Sequence, residues 1–129
     1  MSKKILIIDD YADSGKTLMM AMKKLGHEVQ WVKDGPSALN KISAFVPDIV
    51  LCDICMPGML GYDVCRKMKA DPRLKDTMFI AQTGIDSDSG KQRAQDAGFD
   101  HHMIKPVDLT ELASLIAAER SSQPLQTAV

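Results

Sequence analysis

Five polar residues stand at or directly after short, strongly apolar runs of the sequence: Asp9, Asp10, Asp53, Thr83 and Lys105. Two carboxylates about 4 Å apart repel by roughly 4 kcal/mol at an effective dielectric constant near 20, so three acids at one place favour a divalent cation. Carboxylate oxygens are ligands that Mg²⁺ prefers. A cation, a lysine and a hydroxyl donor beside one carboxylate suit transfer of a phosphoryl group to that carboxylate.

The apolar runs that come before these residues are predicted to be β-strands. They are short, rich in β-branched residues and bounded by turn-forming or charged residues, as buried strands are. The five predicted strands cover residues 5–8, 29–32, 49–52, 78–81 and 102–104.

Helices are predicted between the strands from apolar residues at helical spacing. The first ends at Gly26, the second begins near Pro36, and the third ends before Pro72. The fourth, over about 87–97, is polar and closed by Gly98, and the fifth begins at the cap residue Asp108. The apolar stripes are predicted to be Leu18, Met19, Met22 and Leu25; Leu39, Ile42 and Phe45; Tyr62, Cys65 and Met68; and Leu112, Leu115 and Ile116.

Alternating strands and helices predict an α/β fold with a parallel sheet covered on both faces. Ligands bind such open sheets outside the carboxyl ends of the strands. The five polar residues would then meet at one edge of the sheet, although they are spread along the chain.

The composition fits one soluble domain. The chain has 129 residues and a formal net charge of −1, so it lacks the basic excess expected of a nucleic-acid-binding protein. No apolar run reaches the length of a membrane span, and the apolar run at residues 5–8 is too short for a signal peptide. Three cysteines argue against a disulfide framework. We therefore predict a cytoplasmic protein that binds neither nucleic acid nor membrane.

Over residues 3–119 the sequence resembles the receiver domains of two-component response regulators. The motifs that carry the resemblance, in family order, are Asp9-Asp10, Asp53 followed by Met56-Pro57-Gly58, Thr83, and Lys105-Pro106. The resemblance implies a flavodoxin-like, doubly wound sheet of five parallel strands in the order 2-1-3-4-5, with five helices. It also divides the chain into a receiver domain at 1–120 and a polar tail at 121–129.

The resemblance assigns roles to the residues at the strand ends. Asp53 would be the phosphoacceptor, Asp10 a direct Mg²⁺ ligand, and Asp9 a residue that acts mainly through water on the metal. The backbone carbonyl of Cys55 would be a third protein ligand. Lys105 would contact the phosphoryl group, and its peptide bond to Pro106 would be cis.

A switch is also implied by the resemblance. The Thr83 hydroxyl would move toward the phosphoryl group, and His102, where receivers more often have Tyr or Phe, would respond. The surface of the fourth helix, fifth strand and fifth helix would carry the output to a downstream effector protein or form a homodimer. Ile85, two residues after Thr83, is predicted to slow the loss of the phosphoryl group.

The implied phosphodonor is a histidine kinase or a histidine phosphotransfer domain. The chain would catalyse only its own phosphorylation and dephosphorylation, so it is predicted not to be an enzyme. The segments 98–102 and 105–108 are similar to receivers attached to hybrid sensor kinases. A stand-alone relay protein and a domain of a larger chain both remain open.

Three motifs suggest other chemistry. Ser14-Gly15-Lys16-Thr17 resembles the end of a phosphate-binding loop, but its first glycine is replaced by Asp10. Cys52 and Cys55 have redox spacing, yet we expect core or near-core thiols there because the surroundings are acidic. His101 and His102 are expected to face opposite sides of a strand rather than share a metal. A Mg²⁺-dependent phosphatase or nucleotide hydrolase and a flavin-binding electron carrier are the rival functions.

Overall fold

Five parallel strands form the centre of the molecule in a computed structural model that describes residues 2–84 and 88–118. The strands lie in the order β2-β1-β3-β4-β5, as the resemblance implied. Each predicted strand is present, with bounds that differ from the prediction by at most two residues. The strands are β1 (Lys4–Ile8), β2 (Glu28–Val32), β3 (Ile49–Asp53), β4 (Met78–Thr83) and β5 (His101–Ile104).

The predicted helices connect these strands and cover both faces of the sheet. Their bounds are α1 (Ala12–Lys24), α2 (Gly35–Lys41), α3 (Gly61–Lys69), α4 (Asp88–Ala97) and α5 (Leu109–Ala118). Within the described part of the chain, no helix is long and apolar enough to cross a membrane.

The core has two parts, one on each face of the sheet. The three central strands β1, β3 and β4 are apolar nearly throughout, because both faces are covered by helices, whereas the edge strands β2 and β5 also carry polar side chains. Side chains of β1, β3 and β4 alternate between the two parts. Ile5 and Ile7 of β1 lie in the part that packs against α1 and α5, whereas Leu6 and Ile8 lie in the part on the other face, which includes α2 and α3 residues.

Three helix ends carry the predicted residues Gly26, Gly98 and Asp108, and the structure adds Asp34 as a cap that the sequence analysis did not identify. Gly26 follows the C-cap residue Leu25 of α1, and Gly98 comes directly after α4, with φ of 94° and 110°, a conformation that favours glycine. Asp34 accepts a hydrogen bond from the amide of Ser37 at 2.8 Å and so caps α2. Asp108 does the same for α5, by accepting bonds from the amides of Thr110 and Glu111.

The structure corrects two local predictions and adds one short element. Phe45 was assigned to the stripe of the second helix, but α2 ends at Lys41, and Phe45 is buried in the turn that follows. A one-turn 3₁₀-helix at Pro72–Leu74, capped by Asp71, was not predicted. Leu115 is only half-buried, although it was predicted to belong to the buried face of the last helix.

Candidate functional site

A row of polar side chains crosses the carboxyl edge of the sheet, on the face that packs against α1 and α5. Side chains two residues apart on a strand share a face. Each member of the row comes two residues after an apolar side chain of that part of the core. The pairs are Ile7 and Asp9, Leu51 and Asp53, Ile80 and Gln82, and Met103 and Lys105. The row therefore lies directly above a buried apolar row, which explains how residues from four strands come together.

Asp9, Asp10 and Asp53 form an acidic triad, whose carboxylate oxygens lie within 4.8 Å of one another. Asp9 and Asp53 are buried, at 0% and 3% exposure, whereas Asp10 is exposed. The predicted convergence of three acids from two strand ends is therefore present. Two of these carboxylates have lost nearly all contact with solvent, so their mutual repulsion is poorly screened.

Lys105 supplies the positive charge beside the triad. Its Nζ lies 2.8 Å from Asp53 Oδ2 and 3.9 Å from Asp9 Oδ1. Burial opposes the charge of Lys105, but its hydrogen bond to Asp53 and the nearby carboxylates outweigh burial and raise its pKa. The Lys105–Pro106 peptide bond is cis, as the resemblance implied.

One lysine does not neutralise the triad. The pKa of Asp53 is raised to about 6, mainly by burial and also by the neighbouring carboxylates of Asp10 and Asp9, which together outweigh the opposing effect of Lys105. The donor set consists of hard oxygens that carry excess negative charge, which is the chemistry that a small divalent cation requires. The acidic triad therefore fits Mg²⁺.

The connection that carries Asp9 and Asp10 is held by β2. The indole Nε1 of Trp31 donates to the backbone carbonyl of Asp9 at 2.9 Å, and the Asp9 amide donates to the carbonyl of Val32 at 3.1 Å. Trp31 packs so closely on α1 that a Cβ at Gly15 would lie 2.2 Å from the same Nε1. Two residues of β2, Trp31 and Val32, thus hold the backbone of Asp9 in place, although β2 contributes no side chain to the triad itself.

This packing explains the segment that resembled a phosphate-binding loop. Residues 14–17 lie inside α1 rather than in a loop. Gly15 is buried beneath Trp31, so its lack of a side chain serves helix–strand packing.

The backbone after Asp53 is also closely fitted. The Cys55 amide donates to Asp53 Oδ1 at 3.3 Å. At the start of α3, a Cβ on Gly61 would lie 2.4 Å from the Asp53 carbonyl oxygen, so a side chain there would displace the strand end. Glycine therefore allows α3 to begin directly against the backbone of Asp53 at the end of β3.

The thiols are free, and they differ in exposure. Cys52 and Cys65 are buried, whereas Cys55 is exposed. The pKa of Cys52 lies well above its usual value. Burial is the largest cause, and Cys65 and nearby carboxylates raise the pKa as well. The prediction of core thiols is thus confirmed for Cys52 and wrong for Cys55, because the chain leaves the sheet after Asp53.

Neither predicted switch residue belongs to the polar row, and His102 lines a separate cavity with Ala94 and Phe99. Thr83 is the last residue of β4 and lines a cavity of about 210 Å³ with Cys55, Leu60 and Tyr62. His101 is exposed and His102 half-buried, in keeping with the prediction that they face opposite sides. Ile85 and the tail at 121–129 lie outside the described residues.

Two residues of this edge were missed by the sequence reasoning. Trp31 is the single tryptophan of the chain. Gln82 is a lone polar side chain within a strand that is otherwise apolar up to Thr83, and it is fully buried. That interruption of an apolar run was visible in the sequence and could have marked Gln82 as part of the site.

The comparisons with known proteins agree on one family. A model of the response regulator receiver domain matches residues 5–117. Response regulator PleD of Caulobacter vibrioides is 34% identical over 108 residues, which are 84% of this chain and 24% of PleD. DNA-binding response regulator MtrA of Mycobacterium tuberculosis is 33% identical over 119 residues, which are 92% of this chain and 50% of MtrA. The chain spans a quarter to a half of these relatives.

Solved structures give the same result. A CheY-like response regulator receiver domain protein of Methanospirillum hungatei superimposes with a TM-score of 0.83 at 26% identity, covering 91% of this chain and 92% of that one. A two-component response regulator of Clostridium difficile gives 0.84 at 25% identity, covering 91% and 94%. The chain belongs to the response regulator receiver domain family and is a signalling domain of the two-component type.

Proposed function

We propose that the chain accepts a phosphoryl group on Asp53 from a phosphohistidine, with Mg²⁺ bound by the acidic triad. The observation that carries the proposal is the arrangement of Lys105 and the triad. Lys105 Nζ lies 2.8 Å from Asp53 Oδ2, and three carboxylates meet within 4.8 Å. The family membership supports the same assignment.

In the proposed reaction, a carboxylate oxygen of Asp53 attacks the phosphorus atom of the donor. An O–P bond forms, the N–P bond to the donor histidine breaks, and its electron pair returns to the imidazole. Asp9, Asp10, Asp53 and the carbonyl of Cys55 would hold Mg²⁺, which would offset the charge of the phosphoryl oxygens. Lys105 would bind a phosphoryl oxygen, exchanging its present bond to Asp53 for that contact.

The switch would start from the same phosphoryl group. Thr83 would donate its hydroxyl to a phosphoryl oxygen, and His102 would respond to its movement. The surface of α4, β5 and α5 would then bind an effector protein or a second copy of the chain. The phosphodonor would be a histidine kinase or a histidine phosphotransfer domain, and the receiver would span 1–120, with 121–129 as a tail.

Acetyl phosphate tests this function without a cognate kinase. We expect incubation with acetyl phosphate and Mg²⁺ to add one phosphoryl group, as measured by intact mass. The gain should vanish with a chelator and in Asp53→Asn. The control is Asp63→Asn, which changes an exposed aspartate of α3 that pairs with Arg66. Uptake that survives Asp53→Asn would overturn the assignment of the phosphoacceptor.

A further inference from the structure

Gln82 carries the single buried amide of the polar row at the carboxyl edge. The side chain belongs to β4, where the two preceding members of the same face are Met78 and Ile80. Gln82 is 0% exposed. Burying an amide among apolar groups costs free energy unless its hydrogen bonds are satisfied. The neighbours of Gln82 must therefore explain why an amide is buried at this position.

The neighbour that Gln82 contacts is Asp9. Gln82 Nε2 donates to Asp9 Oδ2 at 3.4 Å, across 73 positions of the sequence. In the sheet, Gln82 pairs with Asp53 of β3, and β3 separates β4 from β1. The side chain of Gln82 thus crosses β3, which carries Asp53, and its amide hydrogen-bonds to Asp9 at the end of β1.

The direction of the amide follows from charge. An ionised Asp9 oxygen repels a carbonyl oxygen and attracts an N–H group, so Nε2 must be the atom that faces it. Oε1 then points away, and it is buried with no hydrogen-bond partner among residues 2–84 and 88–118. An unsatisfied buried acceptor costs roughly 1–3 kcal/mol. Directing the N–H group of Gln82 at Asp9 therefore leaves a buried acceptor unsatisfied, which lowers the stability of the fold.

The Asp9 carboxylate is consequently held at both oxygens. Oδ2 accepts from Gln82, while Oδ1 accepts from the Tyr11 amide at 3.0 Å and faces Lys105 Nζ at 3.9 Å. A carboxylate fixed in this way cannot turn away from Asp53 and Asp10. Residues that orient metal ligands in this manner control metal affinity.

We propose that Gln82 is a positioning residue that orients Asp9 for Mg²⁺ and so sets the Mg²⁺ affinity of the domain. The inference rests on the proposed function, since it assumes that the acidic triad binds Mg²⁺. Gln82 acts through Asp9 and does not itself hold the ion.

The test replaces the amide by an apolar group of similar length. Gln82→Met removes both polar atoms and extends the apolar surface of Met78 and Ile80. We expect the Mg²⁺ dissociation constant, measured by calorimetry, to rise about tenfold, because the loss of an orienting partner typically costs 10–100-fold in affinity. The Mg²⁺ concentration that gives half-maximal acetyl phosphate uptake should rise by a similar factor.

Ile80→Met is the matched control, because it makes an apolar change on the same face of β4 one step below Gln82. It should leave Mg²⁺ affinity unchanged. Gln82→Leu repeats the test if Gln82→Met does not fold, as judged by circular dichroism. Unchanged or tighter Mg²⁺ binding in a folded Gln82 variant would overturn the proposal. A wild-type chain that binds no Mg²⁺ would instead overturn the proposed function itself.

Discussion

Aspartates occur at both edges of the sheet, and the two edges use them differently. At the amino edge, Asp48 accepts a hydrogen bond from the Lys4 amide at 2.8 Å, and Asp100 accepts one from the Phe79 amide at 2.9 Å. Asp48 lies directly before β3 and so links that strand to the start of β1. Asp100 lies directly before β5 and links it to the start of β4. At the carboxyl edge, Asp9, Asp10 and Asp53 crowd together around one lysine.

The difference separates structural acids from functional ones. Asp48 and Asp100 each accept from a backbone amide and belong to no carboxylate cluster among the residues that the structure describes. Asp9 and Asp53 also accept from backbone amides, but their carboxylates crowd together with that of Asp10. The acids of the triad share one lysine among three carboxylates, and this deficit of positive charge is what supports the proposed binding of Mg²⁺. Crowding of carboxylates at a strand edge, rather than their number, therefore indicates the chemistry.

Removing the cation at the carboxyl edge should have the largest effect. Loss of one partner of a fully buried ion pair costs roughly 3–5 kcal/mol. Lys105 is 29% exposed, so we expect Lys105→Met to lower the free energy of unfolding by about 2 kcal/mol without Mg²⁺. Urea unfolding measures the change, with Lys75→Met as a control on an exposed lysine.

The same prediction has an internal check. In an Asp53→Asn background, Lys105→Met should cost much less, because the carboxylate that Lys105 neutralises has been removed. An equal cost in both backgrounds would show that Lys105 stabilises the fold by packing rather than by charge.

The second effect is on pH dependence. Burial raises the pKa of Asp53 from 3.8 to about 6, so the folded state holds this proton more tightly than the unfolded chain does. Its contribution to stability is complete below pH about 4 and is lost as the pH rises through about 6. Asp53→Asn should therefore become more stable than the wild type over this interval without Mg²⁺.

Added Mg²⁺ should reduce that difference, because the cation favours the ionised carboxylate. Urea unfolding of both chains between pH 4 and pH 7 gives the comparison. If the stability difference between Asp53→Asn and the wild type did not vary with pH, Asp53 would have the same pKa in the folded and the unfolded chain.

The smallest effect should come from the amino edge. Asp100→Ala removes the acceptor of the Phe79 amide, and we expect a loss of about 1 kcal/mol in stability with unchanged phosphoryl uptake. Asp100→Asn keeps an acceptor oxygen and should lose less. If Asp100→Ala impaired phosphoryl uptake at constant Mg²⁺, the separation between the two edges would fail.

The sequence predicted the strand ends well because buried strands leave a strong apolar pattern. Asp9, Asp53 and Lys105 could be placed at one edge from that pattern alone. Phe45 was misplaced because helical spacing of apolar residues reports burial, and the turn after α2 buries Phe45 without continuing the helix. The contacts of Gln82 and Trp31 with Asp9 could not be predicted, because they depend on side-chain directions across strands far apart in sequence.

The hydrogen bond from Trp31 to the Asp9 carbonyl has a practical consequence. Trp31 is the only tryptophan in the chain, so all indole fluorescence originates one bond away from the acidic triad. A change in the backbone at Asp9 alters the surroundings of this single chromophore directly. If Mg²⁺ binds the triad as proposed, the intensity and wavelength of this emission should change with ion occupancy, which gives a label-free optical assay of binding.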